Sequence, residues 1–221
     1  MAPSRLLSHA EARRFYNRFG KKQDVQGWYE NPALADLVEH LPLHAVVSVC
    51  EFGCGTGRLA RELLKRHLPP NCNYIGLDIS ESMLKLSREQ LAPWRKRLRL
   101  VQTGGEMDLD LKNTSQDIFL STYVLDLLDE TDIRKLLAEA RRVLRADGRL
   151  ALASLTFGQG LISRCIDRLW RSVHAINPAW VGGCRPLELT RYLDGNEWKL
   201  EHHRIICRWG ICSEVVIARP V

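Results

Sequence analysis

Three glycines and two acids have the types and spacing of a nucleoside-binding site. Gly53, Gly55 and Gly57 alternate with other residues in a short loop, and Glu51 lies two positions before the first of them. Glycines in such a loop let the backbone turn sharply and bring its N–H groups close to a ligand. The second acid, Asp78, ends the next apolar segment, where a carboxylate can accept hydrogen bonds from both hydroxyls of a ribose.

The spacing of the glycines argues against a dinucleotide. A dinucleotide-binding loop holds the pyrophosphate with Gly-x-Gly-x-x-Gly, whereas this chain has Gly-x-Gly-x-Gly. A phosphate at this position would also be repelled by Glu51. We therefore expect a cationic nucleoside without phosphates, and a nicotinamide oxidoreductase conflicts with the pattern.

Predicted strands and helices alternate around these residues. The β-branched run at 46–52 predicts a buried parallel strand, and residues 73–78 predict a second one. Further strands are predicted at 97–103, 116–123 and 149–155, helices at 58–67, 81–91 and 130–144, and a final hairpin from 198–209 and 212–218. This alternation is typical of an α/β fold in which helices cover both faces of a parallel sheet.

The glycine loop, Glu51-Phe52-Gly53-Cys54-Gly55-Thr56-Gly57, resembles the first motif of class I S-adenosylmethionine-dependent methyltransferases. The end of the second predicted strand, Leu77-Asp78-Ile79-Ser80, resembles the motif that follows it. The resemblance extends from about residue 46 to the C-terminus, and within this class the chain resembles the type-11 group, which includes ubiquinone- and menaquinone-biosynthesis enzymes.

This resemblance implies a Rossmann-like sheet of seven strands, mostly parallel, with a C-terminal antiparallel hairpin and an N-terminal helical lid. It also implies S-adenosyl-L-methionine as the cofactor. The length favours a single domain over residues 1–221. Within that domain the family implies an N-terminal helical cap at 1–44 and a variable substrate insert at 158–196.

The resemblance also assigns roles in cofactor binding. The residues concerned are Glu51, Gly53, Cys54, Gly55, Thr56, Gly57, Asp78, Ile79, Met83, Gly105, Glu106, Met107 and Ser121. Glu51 would place negative charge near the amino group of the cofactor, Asp78 would bind the ribose, and Met83 would pack against the adenine. The sequence departs from the family after the third strand, because the position of the usual acid is Gly105 and Glu106 follows it.

Methyl transfer needs little acid–base chemistry. Transfer from a sulfonium is an in-line displacement on an activated carbon, so alignment of the acceptor contributes most. A base is required only when the acceptor arrives protonated. The candidate catalytic residues are Tyr16, on the predicted lid helix, and Tyr123 and Asp126, just after the fourth predicted strand. For Tyr16, packing in the core is the alternative.

The composition is that of an ordinary globular protein, with 45% hydrophobic and 26% charged residues in 221. No apolar run reaches the length of about 18 residues that a membrane span needs. The seven cysteines include no Cys-x-x-Cys pair, which predicts reduced, buried thiols in a cytoplasmic protein without a disulfide or a metal site. A targeting segment in the basic N-terminus is an alternative to this localisation.

The charge of the chain, +6, raises the question of a polyanionic partner. The basic residues are spread along the sequence and do not alternate with aromatics as a base-stacking surface requires, so no stable nucleic-acid partner is expected. The favoured function is methylation of a small-molecule acceptor. The alternatives are an RNA or protein methyltransferase and a non-catalytic methyltransferase-like partner protein. A homodimer is compatible with the sequence.

Overall fold

The computed structural model describes residues 6–19 and 27–221, so the predicted cap at 1–44 and the basic N-terminus lie partly outside the described residues. The helices are α1 (His9–Phe19), α2 (Gly27–His40), α3 (Arg58–Arg66), α4 (Glu81–Gln90), α5 (Glu130–Val143) and α6 (Leu161–Ile176). The strands are β1 (Ser48–Phe52), β2 (Asn73–Asp78), β3 (Leu98–Gln102), β4 (Gln116–Thr122), β5 (Leu144–Thr156), β6 (Trp198–Arg208) and β7 (Ile211–Pro220). Short 3-10 helices occupy Leu43–Ala45, Ala92–Arg97, Leu125–Leu127, Pro178–Val181 and Leu189–Tyr192. Within the described ranges no helix has both the length and the hydrophobicity needed to cross a bilayer.

The strands form one seven-stranded sheet in the order β3-β2-β1-β4-β5-β7-β6. The pairs from β3 to β5 are parallel, and β7 pairs antiparallel with both β5 and β6. The predicted α/β fold with a Rossmann-like, mostly parallel sheet and a C-terminal hairpin is confirmed. Because β1 lies between β2 and β4, the direction of winding reverses there, and open sheets bind ligands at such a point.

Two apolar clusters cover the two faces of the sheet. One cluster packs α5 against the sheet, and the other packs α2 and α3 against its opposite face. The periodicity of α5 explains how this helix packs against the sheet. Its buried residues lie along one face and include Ile133, Leu136, Leu137 and Ala140. The core therefore holds the strands in place, and the loops at their carboxyl ends are available to form a binding site.

Side-chain caps set the start of two helices at this edge. The Ser80 hydroxyl accepts a hydrogen bond from the backbone N–H of Met83 at 3.2 Å, at the start of α4. The Asp129 carboxylate accepts one from the N–H of Asp132 at 2.8 Å, at the start of α5. Both caps satisfy amide groups that a helix leaves unpaired, so the loops before α4 and α5 have defined ends.

The fifth strand begins earlier than the sequence predicts. The fifth strand was expected at 149–155, but β5 begins at Leu144, because Leu144 already pairs with Gln116 before an irregularity in the register. The Asp147-Gly148 turn is therefore a local irregularity within the strand. Within the predicted insert, Leu189–Tyr192 forms a single 3-10 turn.

The prediction of seven reduced thiols is wrong for one pair of cysteines. Cys207 and Cys212 lie opposite each other on the terminal hairpin and form a disulfide. The sequence offered no motif for this bond, because the two residues become neighbours only through the register of β6 and β7. The other cysteines are free, and Cys165 is the exposed one among them.

Candidate active site

The glycine loop connects β1 to α3 and adopts a conformation that requires glycine. The φ angles of Gly53, Gly55 and Gly57 are 80°, 53° and 82°, in the left-handed region that L side chains rarely adopt. At Gly53 a Cβ atom would also lie only 2.1 Å from Cγ2 of Val124. The loop therefore needs glycine for its turn, and at Gly53 also for the close packing of Val124 beside the cavity.

Asp78 lies beside this loop, at the end of β2. Its carboxylate accepts hydrogen bonds from the N–H of Gly55 and the N–H of Ser80, each at 2.8 Å. Burial raises the pKa of the Asp78 carboxyl, and these backbone hydrogen bonds oppose that rise. Each oxygen of an ionised carboxylate has a second acceptor position, so Asp78 can still accept two ribose hydroxyls.

Glu51, in β1, is buried beneath the loop. The hydroxyl of Tyr74 donates a hydrogen bond to its carboxylate at 2.7 Å. Burial raises the pKa of Glu51 to about 7, and the negative charge of Asp78 adds to the rise. A cation bound near Glu51 would favour the ionised form and lower this pKa. The two acids thus suit a positively charged ligand better than a phosphate.

A cavity of about 100 Å³ lies at the carboxyl ends of β1, β2 and β4. Its walls bring together the side of the glycine loop, the end of β2, the loops after β3 and β4, and the inner face of α1. The lining residues are Leu7, His9, Ala12, Tyr16, Phe52, Gly53, Leu77, Asp78, Ile79, Met83, Thr103, Gly105, Met107, Thr122, Tyr123, Val124, Leu127 and Leu128. This volume is below the range of about 300 to 1,000 Å³ typical of ligand sites, so binding of a nucleoside requires α1 or its neighbours to shift.

Eight of the predicted site residues line this cavity and eight do not. The lining set is Tyr16, Gly53, Asp78, Ile79, Met83, Gly105, Met107 and Tyr123. The set outside the lining is Glu51, Cys54, Gly55, Thr56, Gly57, Glu106, Ser121 and Asp126. Glu106 turns back to accept a hydrogen bond from the N–H of Gly104 at 2.9 Å, and Ser121 donates to the carbonyl of Phe52 at 3.1 Å. Both side chains therefore brace the loops around the cavity in this structure.

Helix α1 forms the cover of the cavity. A ring nitrogen of His9 lies 2.8 Å from the carboxylate of Asp132 in α5, and the hydroxyl of Ser80 donates to Asn17 at 2.8 Å. At its other side, the hydroxyl of Tyr16 donates to the carbonyl of Gly182 at 3.2 Å. The predicted position of α1 over the site thus has three contacts with separate parts of the chain, and the lining residues that it contributes beyond Tyr16 carry no sequence motif.

Tyr123 follows β4 and has an unusual backbone conformation. Its φ angle is 55°, which is rare for a bulky residue and costs free energy. The hydroxyl lies 2.8 Å from the hydroxyl of Ser213 in β7, and the ring packs edge-on against Tyr29 with centroids 6.0 Å apart. The strained turn therefore holds the tyrosine ring between the cavity and the start of the terminal strand.

Asp126 is fully buried behind Tyr123. One carboxylate oxygen is 3.4 Å from the N–H of Leu155, and the other has no hydrogen-bond partner among the described residues. Burial raises the pKa of Asp126 to about 7, while the nearby charge of Arg185 lowers it. Groups with a pKa close to neutrality can exchange protons efficiently, so Asp126 has the properties of a general base although it does not line the cavity as it stands.

A larger open groove, of about 1060 Å³, lies between α2 and α3. Its lining residues include Leu34, Arg58, Arg61, Glu62 and Lys65. It lies away from the strand ends and contains neither the acids nor the strained glycines described above. The smaller cavity, which concentrates those features, is therefore the better candidate for the active site.

Comparisons with known proteins find methyltransferases among the proteins similar to this chain. The family described as "Methyltransferase domain" matches residues 49–148, which run from β1 to the start of β5. The malonyl-[acyl-carrier protein] O-methyltransferase of Geobacter sulfurreducens is 30% identical over 173 residues, covering 77% of this chain and 62% of that protein. The tRNA N(3)-methylcytidine methyltransferase Mettl2 of Drosophila melanogaster is 28% identical over 164 residues, covering 68% of this chain and 49% of that protein. The chain thus spans about half the length of the curated relatives that it matches.

Solved structures share the fold at lower identity. The geranyl diphosphate C-methyltransferase of Streptomyces coelicolor A3(2), solved with Mg²⁺, geranyl diphosphate and S-adenosyl-L-homocysteine, superimposes with a TM-score of 0.72 at 13% identity. The superposition covers 96% of this chain and 97% of that one. At this identity the likeness establishes the architecture of the sheet and its helices.

Proposed function

We propose that this chain is a class I S-adenosylmethionine-dependent methyltransferase, similar to the type-11 group, and that it transfers a methyl group from S-adenosyl-L-methionine to a small-molecule acceptor. The observation that carries the proposal is the cavity at the carboxyl ends of the strands. One wall of this cavity contains Gly53 and Asp78, the residue types of a nucleoside-binding site. The other wall is aromatic and contains Tyr16 and Tyr123.

The first wall fits the methyl donor. The strained glycine loop allows close approach to the main chain, Asp78 can accept the ribose hydroxyls, and Met83 is a buried apolar side chain beside it. When bound, the cofactor supplies a methyl group on a positively charged sulfur. Glu51 then contributes negative charge beneath the loop, and the ionised form of its carboxyl is favoured by that positive charge.

The second wall would orient the acceptor. Tyr16 and Tyr123 line the cavity, and their hydroxyls form hydrogen bonds with the carbonyl of Gly182 and the hydroxyl of Ser213. Where the acceptor carries a proton, Asp126 is our candidate to receive it, because its free carboxylate oxygen and near-neutral pKa suit that task. Alignment and exclusion of water by the closed site would supply most of the acceleration.

A small acceptor is favoured over a macromolecule because the cavity is covered. Helix α1 lies over it, and the segment that follows α6 meets α1 through Gly182. In this proposal residues 1–44 act as the cap and residues 158–196 as the substrate insert of a single domain. Transfer to RNA or protein would require a large part of this cover to open.

The decisive experiment is transfer from methyl-tritiated S-adenosyl-L-methionine to a panel of small hydroxy, amino and thiol acceptors, with total tRNA and a protein extract as separate arms. We expect label in a small-molecule product, identified by mass, and a loss of that label in Asp78→Ala. The matched control is Asp110→Ala, which removes an almost fully exposed carboxylate. Label confined to the tRNA or protein arm would overturn the choice of acceptor, and absence of cofactor binding would overturn the activity itself.

A further inference from the structure

Helix α6 is attached to the domain by one side only. The indole N–H of Trp170 donates a hydrogen bond to the carbonyl of Cys184 at 2.9 Å, and a ring nitrogen of His174 lies 3.2 Å from the carbonyl of Gly183. Ser163, about two turns before Trp170 on the same side, is buried. These contacts fix the orientation of α6, so its remaining sides face solvent in a defined direction.

One of the solvent-facing sides is apolar. Ile162, Leu169 and Ile176 recur every seven residues, which places them in one line along the helix. They expose 77%, 65% and 73% of their surface. Leu161 beside them is also exposed. A line of large aliphatic side chains kept in water is unfavourable, and such patches mark interaction sites.

The neighbouring side is basic. Arg164 and Arg168, one turn apart, are exposed and form no ion pair with any described residue. The acid of this helix, Asp167, is largely buried and lies 3.2 Å from the guanidinium of Arg171. The solvent-facing part of α6 therefore combines an apolar line with positive charge that no exposed carboxylate of the same helix offsets.

The tip of the β6–β7 hairpin extends this surface. Trp209 is 76% exposed, and it adopts a φ angle of 50°, followed by 83° at Gly210. Two consecutive positive φ angles form a type I′ turn, which usually takes Asn, Asp or Gly at the first position. A tryptophan held there against its backbone preference is a feature that the turn itself does not explain.

The tip lies directly against α6. A Cβ on Gly210 would be 2.1 Å from Cδ1 of Ile166, and the guanidinium of Arg208 lies 5.9 Å from the centre of the Trp209 ring. Thr156, at the carboxyl end of β5, pairs with Cys212. The hairpin tip is therefore at the same edge of the sheet as the candidate active site. We use the term α6–hairpin surface for Ile162, Arg164, Arg168, Leu169, Ile176 and Trp209.

We propose that the α6–hairpin surface docks this protein on an anionic lipid bilayer. A helix that lies in the bilayer interface needs an apolar line with cationic residues at its border, and α6 has both. Tryptophan prefers the headgroup level of a membrane, and arginines next to it attract acidic headgroups. The apolar side chains protrude singly from a helix and a turn, so they suit insertion into a fluid phase better than the flat, packed core of a protein interface.

The test is sedimentation of the full chain with phosphatidylcholine vesicles, with and without phosphatidylglycerol. We expect binding to the anionic vesicles only, with release by salt. Leu169→Glu and Trp209→Ser should each reduce the partition coefficient roughly tenfold through the loss of buried apolar area. Arg164→Gln and Arg168→Gln should each reduce it roughly fivefold.

Matched controls separate a surface effect from general effects of charge or polarity. Leu200→Glu changes an exposed leucine near the opposite end of the same hairpin, and the pair Arg95→Gln with Lys96→Gln changes exposed cations near β3. These controls should bind as the unaltered protein does, and thermal melting should show that every variant folds.

Equal loss of binding in the controls, equal binding to uncharged vesicles, or no binding at all would overturn the proposal. A stable dimer that Leu169→Glu dissociates would overturn it in favour of a second copy of the chain. Neither result depends on methyl transfer.

Discussion

The two walls of the candidate site satisfy their buried acids in different ways. On the cofactor side, both oxygens of Asp78 accept backbone N–H groups, from Gly55 and Ser80. On the acceptor side, Asp126 is more deeply buried than Asp78, and one of its oxygens has no partner among the described residues. The first arrangement holds a fixed anion for binding. The second leaves a carboxylate whose protonation can change, which is a property of groups that take part in reactions.

The largest effect that would test this contrast is expected from Asp126→Asn. If Asp126 receives the proton of the acceptor, the turnover number should fall by roughly 100-fold or more, while the affinity for the cofactor stays the same. The turnover of the unaltered protein should rise with pH through about 7, because the carboxyl must be ionised to act as a base. The turnover of the variant should not follow that profile. Initial rates across pH, with calorimetric titration of the cofactor, measure both properties.

A loss of cofactor binding together with turnover in Asp126→Asn would instead give Asp126 a structural role. Its folded-state pKa is raised, so the protein binds more protons than the unfolded chain between the unfolded pKa and about pH 7. The free energy of unfolding should therefore fall as pH rises through that range. The Asn variant should lack this fall, and denaturant titration at both ends of the range shows whether it does.

The next largest effect concerns the fixed anion. Asp78→Ala should weaken the binding of S-adenosyl-L-methionine by about 100-fold, because two hydrogen bonds to a charged group are lost. The melting temperature of the free protein should change much less than this affinity. Calorimetric titration measures the affinity, with Asp110→Ala as the control. An unchanged affinity would contradict the ribose assignment.

A tenfold effect is expected from the pH dependence of cofactor binding. The pKa of Glu51 is raised to about 7 in the free protein, and a nearby cation stabilises its ionised form. The affinity should therefore rise by up to about tenfold per pH unit below 7 and level off above it, with release of a proton on binding. Titration in buffers of different ionisation enthalpy detects that proton. Glu51→Gln should abolish the dependence, and a pH-independent affinity in the unaltered protein would refute the assignment.

The smallest effect tests the cover. Tyr16→Phe removes one hydrogen bond between α1 and Gly182, so it should change the turnover number or KM by only about fivefold. Tyr16→Ala should lower turnover more than stability if the ring orients the acceptor. Steady-state kinetics and thermal melting on the same preparations distinguish these roles. A melting temperature that collapses in Tyr16→Ala would place Tyr16 in the core.

The same comparison explains what could be predicted from the sequence. The cofactor side is made of neighbouring strands, and Asp78 meets Gly55 across a separation of only 23 residues. Glycine spacing and the acid at a strand end were therefore enough to predict the fold and this wall. The roles of the individual residues there stay predictions.

The acceptor side depends on contacts that span much of the chain. Tyr16 meets Gly182 across 166 residues, and Tyr123 meets Ser213 across 90. No local pattern encodes these distances, because they follow from the strand order and from the fold of the insert. The Cys207–Cys212 disulfide could not be predicted for the same reason, because the two cysteines become neighbours only through the register of the hairpin. The exposed side of α6 lies within the predicted insert, and the sequence does not tell which side of this helix packs on the domain.

For the proposed methyl transfer, the cover over the small cavity has a kinetic consequence. A cofactor that must pass α1 on entry must pass it again after the transfer, when it has lost its positive charge and with it the attraction of Glu51. We therefore expect departure of the spent cofactor, governed by separation of His9 from Asp132 and of Tyr16 from Gly182, to be the slow step of each cycle. Rapid mixing should then reveal a burst of methylated product, of one equivalent per protein molecule, ahead of a slower steady rate.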